Sequence, residues 1–459
     1  MAVAMTILPI PFVEPVAAFA ALGGEGMAVL LDSAAVGPDS GRFSVVAVDP
    51  VVTVAEGWEQ GWQRFEQLQR NLPVAGSSGE WPIGPGLFGS LGYELRRTFE
   101  RVPSRHPRES GPPDILVGLF DTVALFDVTG RRAAILAADL ARSRSSPAER
   151  ASRMAERLAG AGDLPPIDWA AAGAWTADRS PDGHAAQVAR VLDYIRAGDI
   201  YQANFTQRWV AARPAGLDDL TLYRRLRSLS PAPYASLIRD GDGNSILSAS
   251  PERFLRLSAS GHVDTRPIKG TRPRGRTADE DRALARALAS SEKDRAENLM
   301  IVDLLRNDLG RVAEIGSVSV PELNALYSFA SVHHLVSTVT ATLRAGLGPV
   351  DLIRASFPGG SVTGTPKIRA MQIIDELEAA RRGPYCGAIG WIGLDRAMEL
   401  SIAIRTMTLS ADRVIVQAGG GIVADSDPRA EYEEALTKAR PMLATLDPAF
   451  LTGRLPGDW

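Results

Sequence analysis

Apolar residues recur along this chain in two rhythms, a period of two that marks half-buried strands and a period near 3.6 that marks amphipathic helices. Valine-rich runs over 27–31 and 42–48, separated by the turn-forming Gly37-Pro38-Asp39-Ser40-Gly41, predict two strands. Trp58, Trp62, Phe65 and Leu68 share one helical face, so a helix over 58–71 should pack on that sheet. The glycine-dense segment 86–94 has the composition of closely approaching backbone, and strands are expected over 115–119, 122–127 and 131–137. An arginine-rich helix over 146–159 then runs into Gly160-Ala161-Gly162-Asp163-Leu164-Pro165-Pro166, the best domain boundary in the sequence. It divides an N-terminal region, 1–165, from a second region, 180–445.

The second region opens with a helix over 182–197, where Val188, Val191, Leu192 and Ile195 share a face, and a strand over 200–209. A helix over 220–229 and strands over 235–239 and 245–250 follow, the last two joined at Asp240-Gly241-Asp242-Gly243. Helices are expected over 278–289 and 292–309, the second capped by Ser291 with Asp294 and stopped at Gly310. Three antiparallel strands over 385–392, 398–409 and 413–418 complete the pattern, with Gly419-Gly420-Gly421 directly after them and a helix begun by Asp427-Pro428.

Composition narrows the function classes. A chain of 459 residues exceeds one ordinary core, so two subdomains or one large interleaved fold are expected. The net charge of -4 offers no basic footprint for nucleic acid or an anionic membrane. No apolar run is long enough to span a bilayer. The single cysteine, Cys386, excludes an intrachain disulfide and a cysteine zinc cluster, and cytoplasmic residence follows by default.

Candidate chemistry centres on Pro267-Ile268-Lys269-Gly270-Thr271-Arg272, read as a loop with the lysine between a proline-fixed approach and a permissive glycine. Arg266 and Arg272 flank the lysine, and neighbouring cations together with desolvation should lower its pKa toward that of a nucleophile or base. Glu252 precedes this segment. Asp294 and Glu297 stand three apart on one helix, and Glu431 and Glu434 three apart on another. Two such pairs could hold one hard cation, since magnesium takes one or two carboxylates directly and reaches others through water. Arg405, among small residues, leaves room for an acidic ligand against its guanidinium. The segment 356–367 resembles a phosphate loop only weakly, because Lys367 is displaced from the last glycine; Thr365 and Pro366 are expected to start a helix there.

Several stretches in fixed order carry a wider resemblance: Pro267 to Thr271, Glu297 to Asp308, Val332-His333-His334-Leu335-Val336-Ser337, and Gly419 to Ser426. They resemble the chorismate-utilising enzymes, which include anthranilate, isochorismate, salicylate and aminodeoxychorismate synthases. The resemblance implies an α+β fold of two large stacked antiparallel β-sheets with surrounding helices. It implies magnesium on Glu297 and Glu434, with Asp294 and Glu431 nearby, holding the ring carboxylate of chorismate. Arg405 and Tyr385 would grip the enolpyruvyl carboxylate beside Gly419 and Gly420. Glu252 would be the general acid and His334 a further catalytic residue, His334 and Thr271 would line the ring, and Gly270 and Ser361 would contact the substrate.

Anthranilate synthases generally carry alanine where this chain has Lys269. The lysine therefore implies amination of chorismate to 4-amino-4-deoxychorismate, toward 4-aminobenzoate and folate, with Lys269 attacking the ring and ammonia displacing it. Anthranilate synthesis and a non-catalytic amino-acid sensor are the alternatives. A separate glutamine amidotransferase subunit is expected to supply ammonia. Ser33, Pro233 and Tyr234 lie in segments resembling the family's tryptophan pocket.

Overall fold

Two antiparallel sheets lie face to face, because most strands carry apolar side chains on both faces and must be covered on both. The computed structural model describes residues 3–452 apart from 38–39, 77–78, 172 and 330–331, so Pro38 and Asp39 of the expected turn lie outside the described residues. Among the described residues the first sheet has twelve strands and the second ten. Val29, Val45, Ala47, Leu125 and Ile246 of the first meet Phe88, Leu116, Phe120, Ile389 and Trp391 of the second in the core between them. Every residue of Ile115–Phe120 and of Thr122–Asp127 is buried.

Helices close the outer faces. Pro15–Leu22, Pro147–Leu158, Asp219–Leu229 and Pro428–Leu443 bury their apolar stripes on the first sheet. Trp58–Arg70, Glu292–Gly310 and Pro349–Ser356 do so on the second. The expected α+β architecture is the observed one. The stretch 160–166 is a connection between elements, and strands from both sides of it are neighbours in both sheets: Ala28–Asp32 pairs with Tyr234–Arg239, and Gly86–Leu91 with Ala388–Gly393.

Three local expectations are corrected. The strand predicted over 398–409 is two strands, Met398–Ile402 in the second sheet and Thr406–Leu409 in the first. The chain crosses between sheets at 403–405, where Arg405 adopts φ +50°. Alternation of side chains continues through the crossing, so the pattern conceals it. The glycines 419–421 do not follow a strand but form part of Arg413–Ile422, paired with Thr206, Phe205 and Asn204. Thr365 lies in the short strand Gly364–Thr365, and Pro366 rather than Thr365 caps the helix Lys367–Leu377.

Candidate active site

Lys269 belongs to a strand, Ile268–Pro273, and not to the loop read from its proline and glycine. Its partner is Val332–Thr342, and the register slips between Lys269 and Thr271, so Gly270 is a bulge. Gly270 holds φ +72°, and a Cβ there would stand 2.7 Å from Leu288 Cδ1 and 2.9 Å from Asp294 Cγ. The bulge re-aims Lys269 inward. A Cβ on Gly421 would stand 3.6 Å from Lys269 Nζ and 2.5 Å from Gln202 Nε2, so both side chains lie against bare glycine backbone.

Burial holds the Lys269 amine below its ordinary pKa; Glu297 opposes the shift and Lys438 adds to it. The expected source of that cation is corrected. Arg272 donates to Asp294 Oδ2 at 3.1 Å and Arg266 leans toward Asp264 at 3.8 Å, while Lys438, four residues after Glu434 on the helix Pro428–Leu443, faces the amine electrostatically.

Glu252 follows the strand Ser245–Ser250 and is 5% exposed. Burial pushes its carboxyl up to about 7, against the pull of the Ser361 hydroxyl, the Lys269 charge and the Ile268 N–H. A carboxylic acid that keeps its proton near neutrality can donate it. Thr271 pairs with His334 across the strands, and Thr271 Oγ1 lies 3.0 Å from His334 Nδ1. Burial, then the Arg405 charge, lowers the His334 pKa to about 4, so the imidazole is neutral.

Arg405 stands at the sheet crossing and, among the described residues, makes no side-chain hydrogen bond or ion pair. Burial lowers its pKa. A partly desolvated guanidinium without an anion is prepared to take a carboxylate. Tyr385, 5% exposed, sits in the turn before Ala388–Gly393, which is tied to the crossing by Cys386 N–H donating to Ala403 O at 2.8 Å.

The four acids fall in unequal positions. Glu297 is half-buried with a raised pKa caused chiefly by burial, and it feels both Asp294 and Glu434. Glu434 is more open, its side chain 55% exposed, and accepts from Lys438 Nζ at 2.7 Å. Asp294 is engaged by Arg272, and Glu431 accepts from Ser426 Oγ at 2.6 Å. Among the described residues no three acid, histidine or cysteine side chains converge as a ready cage for a metal. A Cβ on Gly420 would meet Glu431 Oε2 at 2.9 Å and Glu434 Oε1 at 3.3 Å, so the bare backbone leaves space beside these carboxylates. This donor set suits a hard cation that takes one or two carboxylates and completes its shell from water and an anionic ligand.

Two residues escaped sequence reading. Gln202 is fully buried beside Lys269, and among the described residues neither of its side-chain polar atoms has a hydrogen-bond partner. Lys438 donates to Gly419 O at 2.8 Å as well as to Glu434. The helical spacing of Lys438 from Glu434 could have signalled the second; a glutamine at the head of a strand signals nothing by itself. Ser33, Pro233 and Tyr234 lie apart from these residues and line one cavity of about 660 Å³ with Leu31, Trp391 and Met398.

The model of the chorismate binding enzyme family matches residues 31–444. The chain belongs to that family. It is 39% identical over 465 residues to aminodeoxychorismate synthase component 1 of Salmonella typhimurium, covering 96% of this chain and 98% of the relative. It is 40% identical over 450 residues to anthranilate synthase component 1 of Streptomyces coelicolor, covering 95% and 86%. Among solved structures, anthranilate synthase component I from Streptococcus pneumoniae superposes with a TM-score of 0.77 at 32% identity, covering 88% of this chain and 92% of that one. In this chorismate binding enzyme, overall similarity alone does not separate the two activities of its relatives.

Proposed function

We propose that this chain is an aminodeoxychorismate synthase component 1, converting chorismate and ammonia to 4-amino-4-deoxychorismate. The observation that carries the reading is Lys269, whose amine lies among Glu252, Glu297 and Gln202, at the position where the anthranilate-forming branch generally has alanine. Burial favours the uncharged amine. Arg405 and Tyr385 hold the enolpyruvyl carboxylate, and neutral His334 with Thr271 lines the ring. Nζ bonds to C2, the ring electrons shift along the diene, and the C4–O bond breaks. The hydroxyl leaves as water with the proton of Glu252. Ammonia then bonds at C4 and the electrons return, expelling the lysine amine, while the proton released from the incoming nitrogen restores Glu252.

Glu297 and Glu434, assisted by Asp294 and Glu431, are the residues that would hold magnesium. When bound, magnesium supplies neutralisation of the ring carboxylate. Ammonia is supplied by a glutamine amidotransferase partner. In support, Cys386 is buried with its thiol pushed up to about 12, the opposite of an activated nucleophile, and the relatives' name "component 1" implies a second component. The product feeds 4-aminobenzoate and folate synthesis in the cytoplasm; no helix among the described residues is long and apolar enough to cross a membrane. The cavity at Ser33, Pro233 and Tyr234 takes tryptophan, an aromatic amino acid matched to its mixed apolar and polar lining.

Product analysis tests the reading. Chorismate, an ammonium salt and magnesium should give 4-amino-4-deoxychorismate without pyruvate. Anthranilate with stoichiometric pyruvate would assign the other activity.

A further inference from the structure

Between the helix Lys367–Leu377 and the strand Ala388–Gly393 stands Arg382, with its side chain only 1% exposed. Its Nε and Nη2 donate to the two oxygens of Glu378 at 3.0 and 2.7 Å, Nη1 donates to Val362 O at 2.8 Å, and Nη2 donates again to Asn204 O at 2.6 Å. Only one N–H of the fork is left over. The guanidinium also lies over the Tyr93 ring, 4.5 Å from its centroid, and Glu378 Oε1 accepts from the Thr206 N–H and hydroxyl at 3.1 and 2.7 Å.

The segments tied together in this way are those that bear the site. Val362 follows Ser361, whose hydroxyl donates to Glu252, and Asn204 Nδ2 donates to Ser361 O at 3.2 Å. Arg382, Asn204, Ser361 and Val362 therefore form a closed ring of bonds around the short turn Gly360–Val362. Asn204 and Thr206 are in turn the ladder partners of Gly421 and Gly419. A buried ion pair is costly, and apolar side chains of similar volume commonly replace one without loss of stability. They cannot hold two carbonyls of separate segments in one plane, and a lysine with its single nitrogen cannot reproduce the fork either.

We infer that Arg382 is a positioning residue for the acid step: through Asn204 and the Val362 carbonyl it fixes the turn so that the Ser361 hydroxyl meets Glu252. The inference rests on Glu252 as the proton donor of the proposed reaction. Ser361 stabilises the ionised carboxyl, so loss of this bond raises the proton affinity of Glu252 and frees the carboxyl to turn from the leaving oxygen. The other groups that face Glu252 are Lys269, Lys438, Cys386 and the Ile268 N–H, and among the described residues none of them is hydrogen-bonded to Arg382.

The test is the pH profile of kcat with chorismate, ammonium chloride and magnesium in Arg382→Lys, Ser361→Ala and the double variant. Arg382→Lys keeps a charge opposite Glu378 and loses the fork. Its kcat should fall about tenfold with KM for chorismate within about threefold of the unsubstituted chain, and its alkaline limb should move up by about one pH unit. Ser361→Ala should move the limb equally and the double variant no further, because both changes remove the same hydrogen bond. If Arg382→Lys does not accumulate folded, Arg382→Met combined with Glu378→Gln, which strands no buried charge, takes its place. A folded variant with a lower Tm and an unmoved limb, or shifts that add in the double variant, overturns the inference. The limb is read in whichever product forms: anthranilate with pyruvate would refute the amination, while the shift would still decide the role of Arg382.

Discussion

Glu252→Gln should stabilise the protein at alkaline pH while removing its activity. Glu252 is 5% exposed, and its carboxyl is pushed from 4.5 to about 7, chiefly by burial. A carboxyl with a folded pKa above its unfolded one contributes fully below pH 4.5 and loses that contribution as pH rises through about 7. At about 1.4 kcal/mol for each tenfold difference in proton affinity, ionisation in the folded chain costs about 3 kcal/mol. Glutamine has nearly the same shape and stays neutral. For a chain of this length the entropy of unfolding is about 1 kcal/mol per kelvin, so the cost corresponds to about 3 °C in Tm. Differential scanning calorimetry of both proteins at pH 5 and pH 8.5, in chelator, should show nearly equal Tm at pH 5 and the glutamine variant about 3 °C higher at pH 8.5. A difference independent of pH, or a glutamine variant less stable at pH 8.5, would refute a proton-bearing carboxyl at this position.

Three further outcomes follow from the same geometry. The rate should fall as pH rises through about 7, because Glu252 must carry its proton, and should fall on the acid side as Lys269 gains one; a profile flat from pH 6 to 9 would contradict both roles. Glu297→Ala and Glu434→Ala should each abolish magnesium-stimulated turnover, and magnesium stimulation retained in both would remove them as ligands. Gly270→Ala places a Cβ at φ +72° against Leu288 and Asp294, so it should lower stability by about 1–2 kcal/mol in denaturant titration and reduce turnover by displacing Lys269; a variant equal to the unsubstituted chain in both would show that the bulge does not fix the amine.

Much of the fold is legible in the sequence because local pattern and burial agree. The strands Thr122–Asp127 and Ser245–Ser250 and the helix Ala278–Ala289 have the bounds that their periodicity predicts. Helix faces are also readable, which is why Asp294 with Glu297 and Glu431 with Glu434 could be paired from spacing alone. What periodicity cannot carry is which sheet a strand joins. The run 398–409 alternates without interruption, yet it changes sheets at Arg405, and only that crossing places the guanidinium between the layers. Strand neighbours are a second hidden quantity, since the strand of Gln202 meets that of Gly421, against which Lys269 also lies, through pairings among residues about 200 to 220 positions apart. Burial lowers the Lys269 amine as the sequence leads one to expect, but the cation that adds to the shift is the distant Lys438 and not the adjacent arginines.

The account stands on an uncharged amine at position 269 attacking the ring. Lys269→Ala, assayed with chorismate, magnesium and saturating ammonium, tests it most directly. Loss of the nucleophile predicts a fall of about a thousandfold or more in 4-amino-4-deoxychorismate formation. Formation of that product within a few-fold of the unsubstituted rate would contradict the account.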